Sequence, residues 1–175
     1  MKPLSLTLKN FGPYINETID FTKFEDSSLF LISGKTGSGK TTIFDGMSYA
    51  LFGESSGKLR LGKEMRSTFA APSEATEVTL LFKHNEYLYE LNRLPEQELF
   101  KKRGTGVRKQ SAKISLIVKD AQGKELRAYS KRREVDELIQ ELLHLNANQF
   151  AQIVLLPQGE FRTFLIAKSD EKEKV

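Results

Sequence analysis

One stretch of the chain combines glycine, lysine and hydroxyl residues at a spacing that suits phosphate binding. The stretch Gly34–Thr41, GKTGSGKT, matches the pattern G-x-x-x-x-G-K-[ST] without a mismatch. Its glycines let the backbone wrap closely around a phosphate and turn successive N–H groups inward into an anion-binding nest. We expect Lys40 to place a positive charge on the β- and γ-phosphates and the Thr41 hydroxyl to be a ligand of Mg²⁺. The residues predicted to contact the nucleotide are Gly34, Lys35, Thr36, Gly37, Ser38, Gly39, Lys40, Thr41 and Thr42.

The segments on either side of this loop have the patterns of a strand and a helix. The apolar run Leu29–Ile32 is typical of a strand that is buried on both faces. The segment Thr41–Phe52 predicts a helix, which Gly53 would end. A loop that opens onto a helix N-terminus brings unpaired N–H groups and the positive end of the helix dipole to a bound anion. The loop and its setting together predict a nucleotide site.

Strand patterns dominate the rest of the chain. Leu4–Lys9 alternates apolar and polar residues, and a turn at Phe11–Tyr14 separates it from a second strand that runs to Phe21. Two further hairpins are predicted, with strands at 76–83 and 87–94 and at 113–119 and 125–129. The segment 55–73 has no clear periodicity and predicts an irregular connection, and the polar segment 95–110 predicts a mobile linker.

The C-terminal third has helical patterns. Ser130 is the expected N-cap of a helix whose apolar face holds Val135, Leu138, Ile139, Leu142 and Leu143. Asn146 and Gln149 have the spacing of a capping box, which would open a short helix through Leu155. The Pro-Gln-Gly sequence at 157–159 breaks this helix, and helical character returns at 160–168. The charged residues at 169–175 carry no stop signal and predict a helix cut in mid-course.

Composition excludes several classes of protein. The 175 residues are 39% hydrophobic and 29% charged, as in a soluble globular domain. The sequence contains no run of about 20 apolar residues that would span a membrane, and no apolar block of a signal peptide near Met1. Because cysteine is absent, disulfides and thiolate metal sites are excluded. These features predict a cytoplasmic protein without a membrane partner.

Positive charge is concentrated between Lys101 and Arg133. The net charge is +4, and within this segment only Asp120 and Glu125 oppose the cations. Such a cluster can bind nucleic acid independently of sequence, because neutralising phosphates releases counterions. A solvated charged face is the equally ordinary alternative. The residues predicted to contact DNA are Lys101, Lys102, Arg103, Arg108, Lys109, Lys131, Arg132 and Arg133, with Lys113 and Arg127 in the same cluster.

Several segments resemble one known family. Leu8–Tyr14, the phosphate loop and Phe44–Gly53 are similar to the opening of the SbcC family, the SMC-like ABC ATPases that work with SbcD-type nucleases. Leu155–Phe161, followed by Phe164 and Leu165, resembles the Q-loop and the root of the coiled coil in that family. The resemblance runs from Met1 to about Lys168, which is nearly the whole chain.

The resemblance implies an α/β fold of the P-loop NTPase type. The chain would be the first lobe of an ABC-type ATPase head, with a mixed core sheet and an antiparallel β-layer. Residues 1–167 would form this lobe, and residues 168–175 would begin a coiled coil. The head would be incomplete, because the sequence has no Walker B strand, signature loop or switch histidine. In the family these elements follow a long coiled coil that carries a CxxC zinc hook.

The resemblance also implies roles for single residues. Lys40 and Gln158 would be the catalytic residues, and Thr41 and Gln158 would be the Mg²⁺ ligands, with ATP and Mg²⁺ as cofactors. Gln158 would bridge the metal and the attacking water. Some relatives carry an arginine that touches the nucleotide where this chain has Gly12. Lys9, Asn10 and the segment Arg60–Lys63 are therefore only candidates for contact with the base.

The function implied is that of the ATPase subunit of an ATP-dependent nuclease complex. ATP would bind between two heads of a homodimer, and closure would gate a SbcD-type nuclease at ends and hairpins of double-stranded DNA. The partners implied are the C-terminal half of the same head, a second head, the nuclease and DNA, which favours DNA contact for the basic cluster. The nuclease is expected to dock near Phe164–Val175, and this piece alone should hydrolyse little ATP.

Three alternatives remain at this point. The first is another SMC-like, RecF-like or RecN-like head, which the Pro-Gln-Gly-Glu-Phe sequence at 157–161 argues against. The second is a self-contained P-loop kinase, which would turn over substrate without any further chain. The third is a basic nucleic-acid-binding scaffold with an idle phosphate loop, which would bind DNA regardless of ATP.

Overall fold

A six-stranded antiparallel sheet is the main element of the fold. The computed structural model describes residues 1–24, 31–55, 62–101 and 103–151. The strand order in the sheet is β2-β1-β3-β4-β7-β8, and β5 and β6 form a separate two-stranded ribbon. Strands and helices are β1 (Lys2–Phe11), β2 (Tyr14–Asp20), α1 (Lys40–Phe52), β3 (Glu77–His84), β4 (Tyr87–Leu94), β5 (Gln97–Phe100), β6 (Val107–Gln110), β7 (Lys113–Lys119), β8 (Glu125–Tyr129), α2 (Arg132–Leu143) and α3 (Ala147–Phe150), with 3-10 turns at Phe21–Phe24 and Gly62–Met65.

Alternation of apolar residues builds the core on one face of this sheet. The register places Leu6 opposite Leu80, Leu80 opposite Leu91, and Leu91 opposite Leu116. All four side chains are fully buried, so they form one apolar row across four strands. The three hairpins predicted from turn residues, β1–β2, β3–β4 and β7–β8, are confirmed.

Helix α1 lies close against this apolar face. A Cβ atom added to Gly46 would be 2.6 Å from Cδ2 of Leu8, so glycine lets the helix approach β1. Ala50 and Leu51 of the helix are fully buried. Gly53 ends the helix in the left-handed conformation at φ 77°, with its N–H donating to the Tyr49 carbonyl at 2.8 Å, as predicted.

Helix α2 begins one residue later than predicted. Lys131 occupies the N-cap position and makes no side-chain cap, so the assignment of Ser130 as the N-cap is wrong. A lysine side chain has no acceptor for a backbone N–H. The apolar face of α2 is confirmed, since Val135 and Ile139 are buried and its leucines pack against the same core.

The capping box that opens α3 is also confirmed. The Asn146 side chain accepts from the Gln149 N–H, and the Gln149 side chain accepts from the Asn146 N–H, both at 3.0 Å. The predicted continuation to Leu155 lies outside the described residues. The same holds for the turn at 157–159, the helix at 160–168 and the proposed domain boundary at 167.

The prediction of a mobile linker at 95–110 is wrong, because this segment forms the β5–β6 ribbon. Buried contacts hold β5 in place. The Gln97 side chain accepts from the Thr76 N–H at 2.8 Å and donates to the Thr76 carbonyl at 3.2 Å. Leu99 is fully buried. This polar segment is held in place because Gln97 is hydrogen-bonded to Thr76 and Leu99 is buried in the fold.

The strand predicted at 29–32 is not found in its described part. Residues 29 and 30 lie outside the described residues, Leu31 is in no strand and is 88% exposed, and Ile32 packs partly against the core. A strand buried on both faces needs hydrogen-bonded neighbours and cover on each face. Every strand pair within the described ranges is antiparallel, and none of them supplies a neighbour at Leu31. Within those ranges, no helix is long and apolar enough to cross a membrane.

Candidate nucleotide-binding site

The phosphate loop runs directly into the N-terminus of α1. Gly37 has φ 84° and Gly39 has φ 90°, in the left-handed region where glycine is favoured. Gly39 also needs space, because an added Cβ would be 2.6 Å from Cγ of Pro13 and 2.9 Å from Oη of Tyr14. Glycine at this position is therefore required by both the backbone angle and the close approach of the β1–β2 turn.

The N-terminus of α1 is suited to an anion. Its N-cap is Gly39, which has no side chain to accept hydrogen bonds from the first turn, and that turn contains no acidic residue. The first N–H groups of a helix lack partners within the helix and carry the positive end of its dipole. Phosphate oxygens are the natural acceptors for these groups.

Lys40 points back across the loop. Its ammonium group donates to the carbonyls of Gly34 at 2.7 Å and Lys35 at 2.8 Å. The Ser38 N–H donates to the Lys35 carbonyl at 3.1 Å, which closes a turn beneath the ammonium. The positive charge is thus held over the loop, where it can neutralise phosphate oxygens bound by the backbone N–H groups.

The turn between β1 and β2 braces the phosphate loop, which the sequence did not reveal. The Tyr14 hydroxyl donates to the Gly39 carbonyl at 3.1 Å. Burial, with a smaller contribution from Glu17, raises the pKa of the Tyr14 phenol above its ordinary value. The hydroxyl therefore stays protonated and keeps donating at neutral pH.

Gly12 also has a structural explanation. Its φ is +56°, and a Cβ at this position would lie 2.5 Å from Cγ2 of Thr42 in the first turns of α1. The Gly12 N–H donates to the Met65 carbonyl at 2.7 Å. A larger residue such as arginine would therefore push against the helix that follows the phosphate loop.

Two of the candidates for base contact, Lys9 and Asn10, are not supported by the structure. Asn10 is buried, and its side chain donates to the Ala75 carbonyl at 2.8 Å, so it fixes the connection before β3. Lys9 lies within β1, where its backbone is paired with β2 on one side and β3 on the other. It does not line the cleft at the phosphate loop. Arg60 and Leu61 lie outside the described residues, as does the proposed catalytic residue Gln158.

A cleft of about 720 Å³ extends from the phosphate loop. This volume is in the usual range for small-molecule sites. The phosphate loop, the start of α1 and the connection that follows residue 62 all contribute to its lining. The lining residues from that connection are Glu64, Arg66, Thr68 and Phe69, none of which the sequence singled out.

The far end of α1 is held by a buried arginine. Arg93 of β4 is 5% exposed, and its guanidinium donates to the carbonyls of Ala50 at 2.7 Å and Leu51 at 3.0 Å. It also forms an ion pair with Asp136 of α2 at 2.6 Å. A cation at a helix C-terminus interacts favourably with the dipole and satisfies carbonyls that lack partners. Arg93 thereby fixes α1, whose other end adjoins the phosphate loop.

The residues predicted to contact DNA fall on two elements. Lys101, Arg103, Arg108 and Lys109 are exposed on or beside the β5–β6 ribbon, and Lys131, Arg132 and Arg133 are exposed at the start of α2. Lys102 lies outside the described residues.

Several of these cations are paired with acids that lie just outside the basic segment 101–133. Lys131 pairs with Glu134 at 2.9 Å, Arg132 with Asp136 at 3.2 Å, and Arg133 with Glu137 at 2.7 Å. Hydrogen bonds to these carboxylates raise the pKa of Lys131 and of Arg133. On the ribbon, Lys109 pairs with Glu96 at 3.0 Å. Counting only the two acids within the segment 101–133 therefore underestimated how much of its positive charge is neutralised.

A metal site made by protein side chains alone is not seen within the described ranges, where no group of three or more histidine, aspartate or glutamate residues is placed to hold an ion. The predicted Mg²⁺ ligand Thr41 is the second residue of α1, beside the phosphate loop. This placement suits a metal that takes most of its ligands from phosphate and water.

The chain matches the AAA domain family over residues 5–175. It is 46% identical over 179 residues to the SbcC subunit of the nuclease SbcCD from Lactococcus lactis subsp. lactis, and 45% identical over 176 residues to that from Vibrio cholerae. A protein of the same name from Staphylococcus aureus is 46% identical over 175 residues. Each match covers 100% of this chain but 17% of the relative, so the chain spans about a sixth of their length.

A solved structure has the same fold. It comes from work described as the structural biochemistry of ATP-driven dimerization and DNA stimulated activation of SMC ATPases. The TM-score is 0.52 at 17% sequence identity, and the match covers 99% of this chain and 96% of that one. The predicted α/β fold of the P-loop ATPase type and the resemblance to SbcC are both confirmed by these comparisons.

Proposed function

Since the chain belongs to the AAA domain family, we propose that it is the ATP-binding first part of the ATPase subunit of an SbcCD-type nuclease complex. The observation that carries this proposal is the phosphate loop, with left-handed Gly37 and Gly39 and the Lys40 ammonium over its carbonyls. The identity of about 45% to SbcC proteins over the whole chain supports the choice of complex.

In this proposal the chain binds and orients the phosphates of ATP. The N–H groups of the loop and of the first turn of α1 hold the β-phosphate, and Lys40 bridges towards the γ-phosphate. Thr41 would hold Mg²⁺, which supplies charge neutralisation on the β- and γ-phosphate oxygens when bound. The donor set fits a nucleotide carrying that metal, because hydroxyl and amide groups line the loop and acidic residues are absent from the first turn.

Gln158 is proposed to position the attacking water, a role that rests on the SbcC resemblance. The sequence has no Asp-Glu pair that closes an apolar strand pattern, as a Walker B ending does. By the same resemblance, the catalytic carboxylate is proposed to come from the rest of the full-length subunit. The same reasoning makes the C-terminal part of the head, a second head and an SbcD-type nuclease the proposed partners, with ATP-driven closure gating the nuclease at DNA ends and hairpins.

DNA is proposed to contact the β5–β6 ribbon more strongly than α2. Arg103 and Arg108 are exposed there, whereas Lys131, Arg132 and Arg133 at the start of α2 each already pair with a carboxylate of that helix. Partner carboxylates reduce the counterion release that phosphate binding provides. Action on chromosomal DNA would place the protein in the cytoplasm.

ATP turnover by the complete protein with its nuclease subunit tests the proposal. We expect Lys40→Ala to abolish nucleotide binding and turnover, and Gln158→Ala to abolish turnover while ATP still binds. The 175-residue chain assayed alone should hydrolyse negligible ATP and regain turnover when the remainder of the protein is added. Full turnover by this chain alone would instead indicate a self-contained P-loop enzyme, and normal turnover by Lys40→Ala would refute the proposed site.

A further inference from the structure

An exposed aromatic side chain lies in the nucleotide cleft. Phe69 is 73% exposed, yet it lines the same cleft as Gly34, Lys40 and Thr41. Phenylalanine is normally among the most buried residues, and its exposure forgoes the free energy gained by removing apolar surface from water. Among the described residues that line this cleft, Phe69 is the single aromatic one.

The backbone that carries Phe69 is held in place. The Phe69 N–H donates to the Ser67 hydroxyl at 3.3 Å, and the Ala70 N–H donates to the Ser67 carbonyl at 3.2 Å. Ser67 is itself buried, and its N–H donates to the Asn10 carbonyl at 2.8 Å, which ties the loop to β1. These bonds form a compact turn with the phenyl ring at its outer side.

Arg66 clamps the other side of the same loop. Its guanidinium donates to the carbonyls of Ala71 at 2.9 Å and Glu74 at 2.5 Å. The backbone of Arg66 also forms an isolated antiparallel β-bridge with Phe11 of β1, beside the turn that braces the phosphate loop. Because the loop is anchored at several points, it loses little additional conformational entropy when a ligand covers the exposed ring.

We propose that Phe69 stacks on the base of the bound nucleotide. The proposal rests on the nucleotide site proposed above. With the phosphates fixed at the N-terminus of α1, the rest of the nucleotide would extend along the cleft that Phe69 also lines. An aromatic face stacks on any base and gains more from the larger purine surface.

The test uses the full-length protein with its nuclease subunit and compares two ligands, ATP and inorganic tripolyphosphate. Tripolyphosphate carries the same phosphate chain without the ribose and the base. We expect Phe69→Ala to weaken ATP binding by about tenfold and to leave tripolyphosphate binding unchanged, since stacking acts on the base alone. Unchanged tripolyphosphate binding also shows that the variant is folded. Phe69→Trp should keep the affinity for ATP, and the fluorescence of the new indole should be quenched by ATP but not by tripolyphosphate.

Two outcomes would overturn the proposal. Equal ATP affinity in Phe69→Ala and the parent protein would mean that the ring does not touch the base. An equal loss for ATP and tripolyphosphate would mean that Phe69 packs against another part of the protein and shapes the phosphate loop indirectly. The Lys40→Ala variant tests the proposed nucleotide site separately from Phe69. If this variant bound both ATP and tripolyphosphate normally, the nucleotide site itself would be refuted, whatever the result for Phe69→Ala.

Discussion

Replacing Arg93 by methionine should destabilise the fold through the C-terminus of α1. Methionine keeps most of the length and apolar stem of arginine but removes every hydrogen-bond donor. The carbonyls of Ala50 and Leu51 then lose their partner, and Asp136 loses one of its two arginines. Because Arg93 is buried, little water can take over the lost hydrogen bonds.

The size of the effect follows from these three contacts. A hydrogen bond between a charged donor and a buried acceptor is worth about 1.5–3 kcal/mol, so the two carbonyls account for at least about 3 kcal/mol. Asp136 contributes less, about 0–1 kcal/mol, because its side chain is 38% exposed and keeps Arg132 at 3.2 Å. We therefore expect the free energy of unfolding to fall by at least about 3 kcal/mol.

Urea unfolding of the 175-residue chain, followed by circular dichroism, measures this change. The midpoint should fall while the m-value stays the same, since the surface exposed on unfolding is unchanged. Arg132→Met is the matched control, because that arginine is 74% exposed and pairs with the other oxygen of Asp136. The control should lose less than about 1 kcal/mol. A loss below about 1 kcal/mol in Arg93→Met would refute the role of the buried guanidinium as a cap.

Three further predictions concern other parts of the chain. Gly39→Ala should weaken tripolyphosphate binding by at least about tenfold, because its Cβ would collide with Pro13, whereas Gly104→Ala, with a similar φ of 79° but open space, should bind normally. Burial raises the pKa of Tyr49 from 10.0 to about 12, so its contribution to stability is complete below pH 10 and is lost as the pH rises towards 12. In urea titrations between pH 10 and 12, the free energy of unfolding of the parent protein should fall by about 1.4 kcal/mol per pH unit more than that of Tyr49→Phe. Identical pH slopes in the two proteins would contradict the assignment to Tyr49. Arg108→Gln in the full-length protein should reduce the salt slope of DNA binding by about one, whereas Arg133→Gln, whose arginine is paired with Glu137 at 2.7 Å, should leave it unchanged.

Features built from neighbouring residues were predictable from the sequence. The phosphate loop depends on glycine angles and a helix start within a few residues, and the capping box joins Asn146 to Gln149. The hairpins follow from short turns between alternating strands, and the end of α1 follows from Gly53. In each case the interacting groups lie close together along the chain, so residue type and spacing already specify their geometry.

Tertiary structure alone decided the features whose partners are distant in sequence. Arg93 meets a carbonyl 43 residues away, Gln97 holds Thr76 across 21 residues, and Tyr14 reaches Gly39 across 25. The position of Phe69 beside the phosphate loop likewise depends on contacts between its loop and β1. Local patterns carry no information on such pairs, because the register of the sheet and the packing of α1 on it bring them together. The sequence therefore predicted the phosphate loop, and the packing of the sheet decided which side chains support and surround that loop.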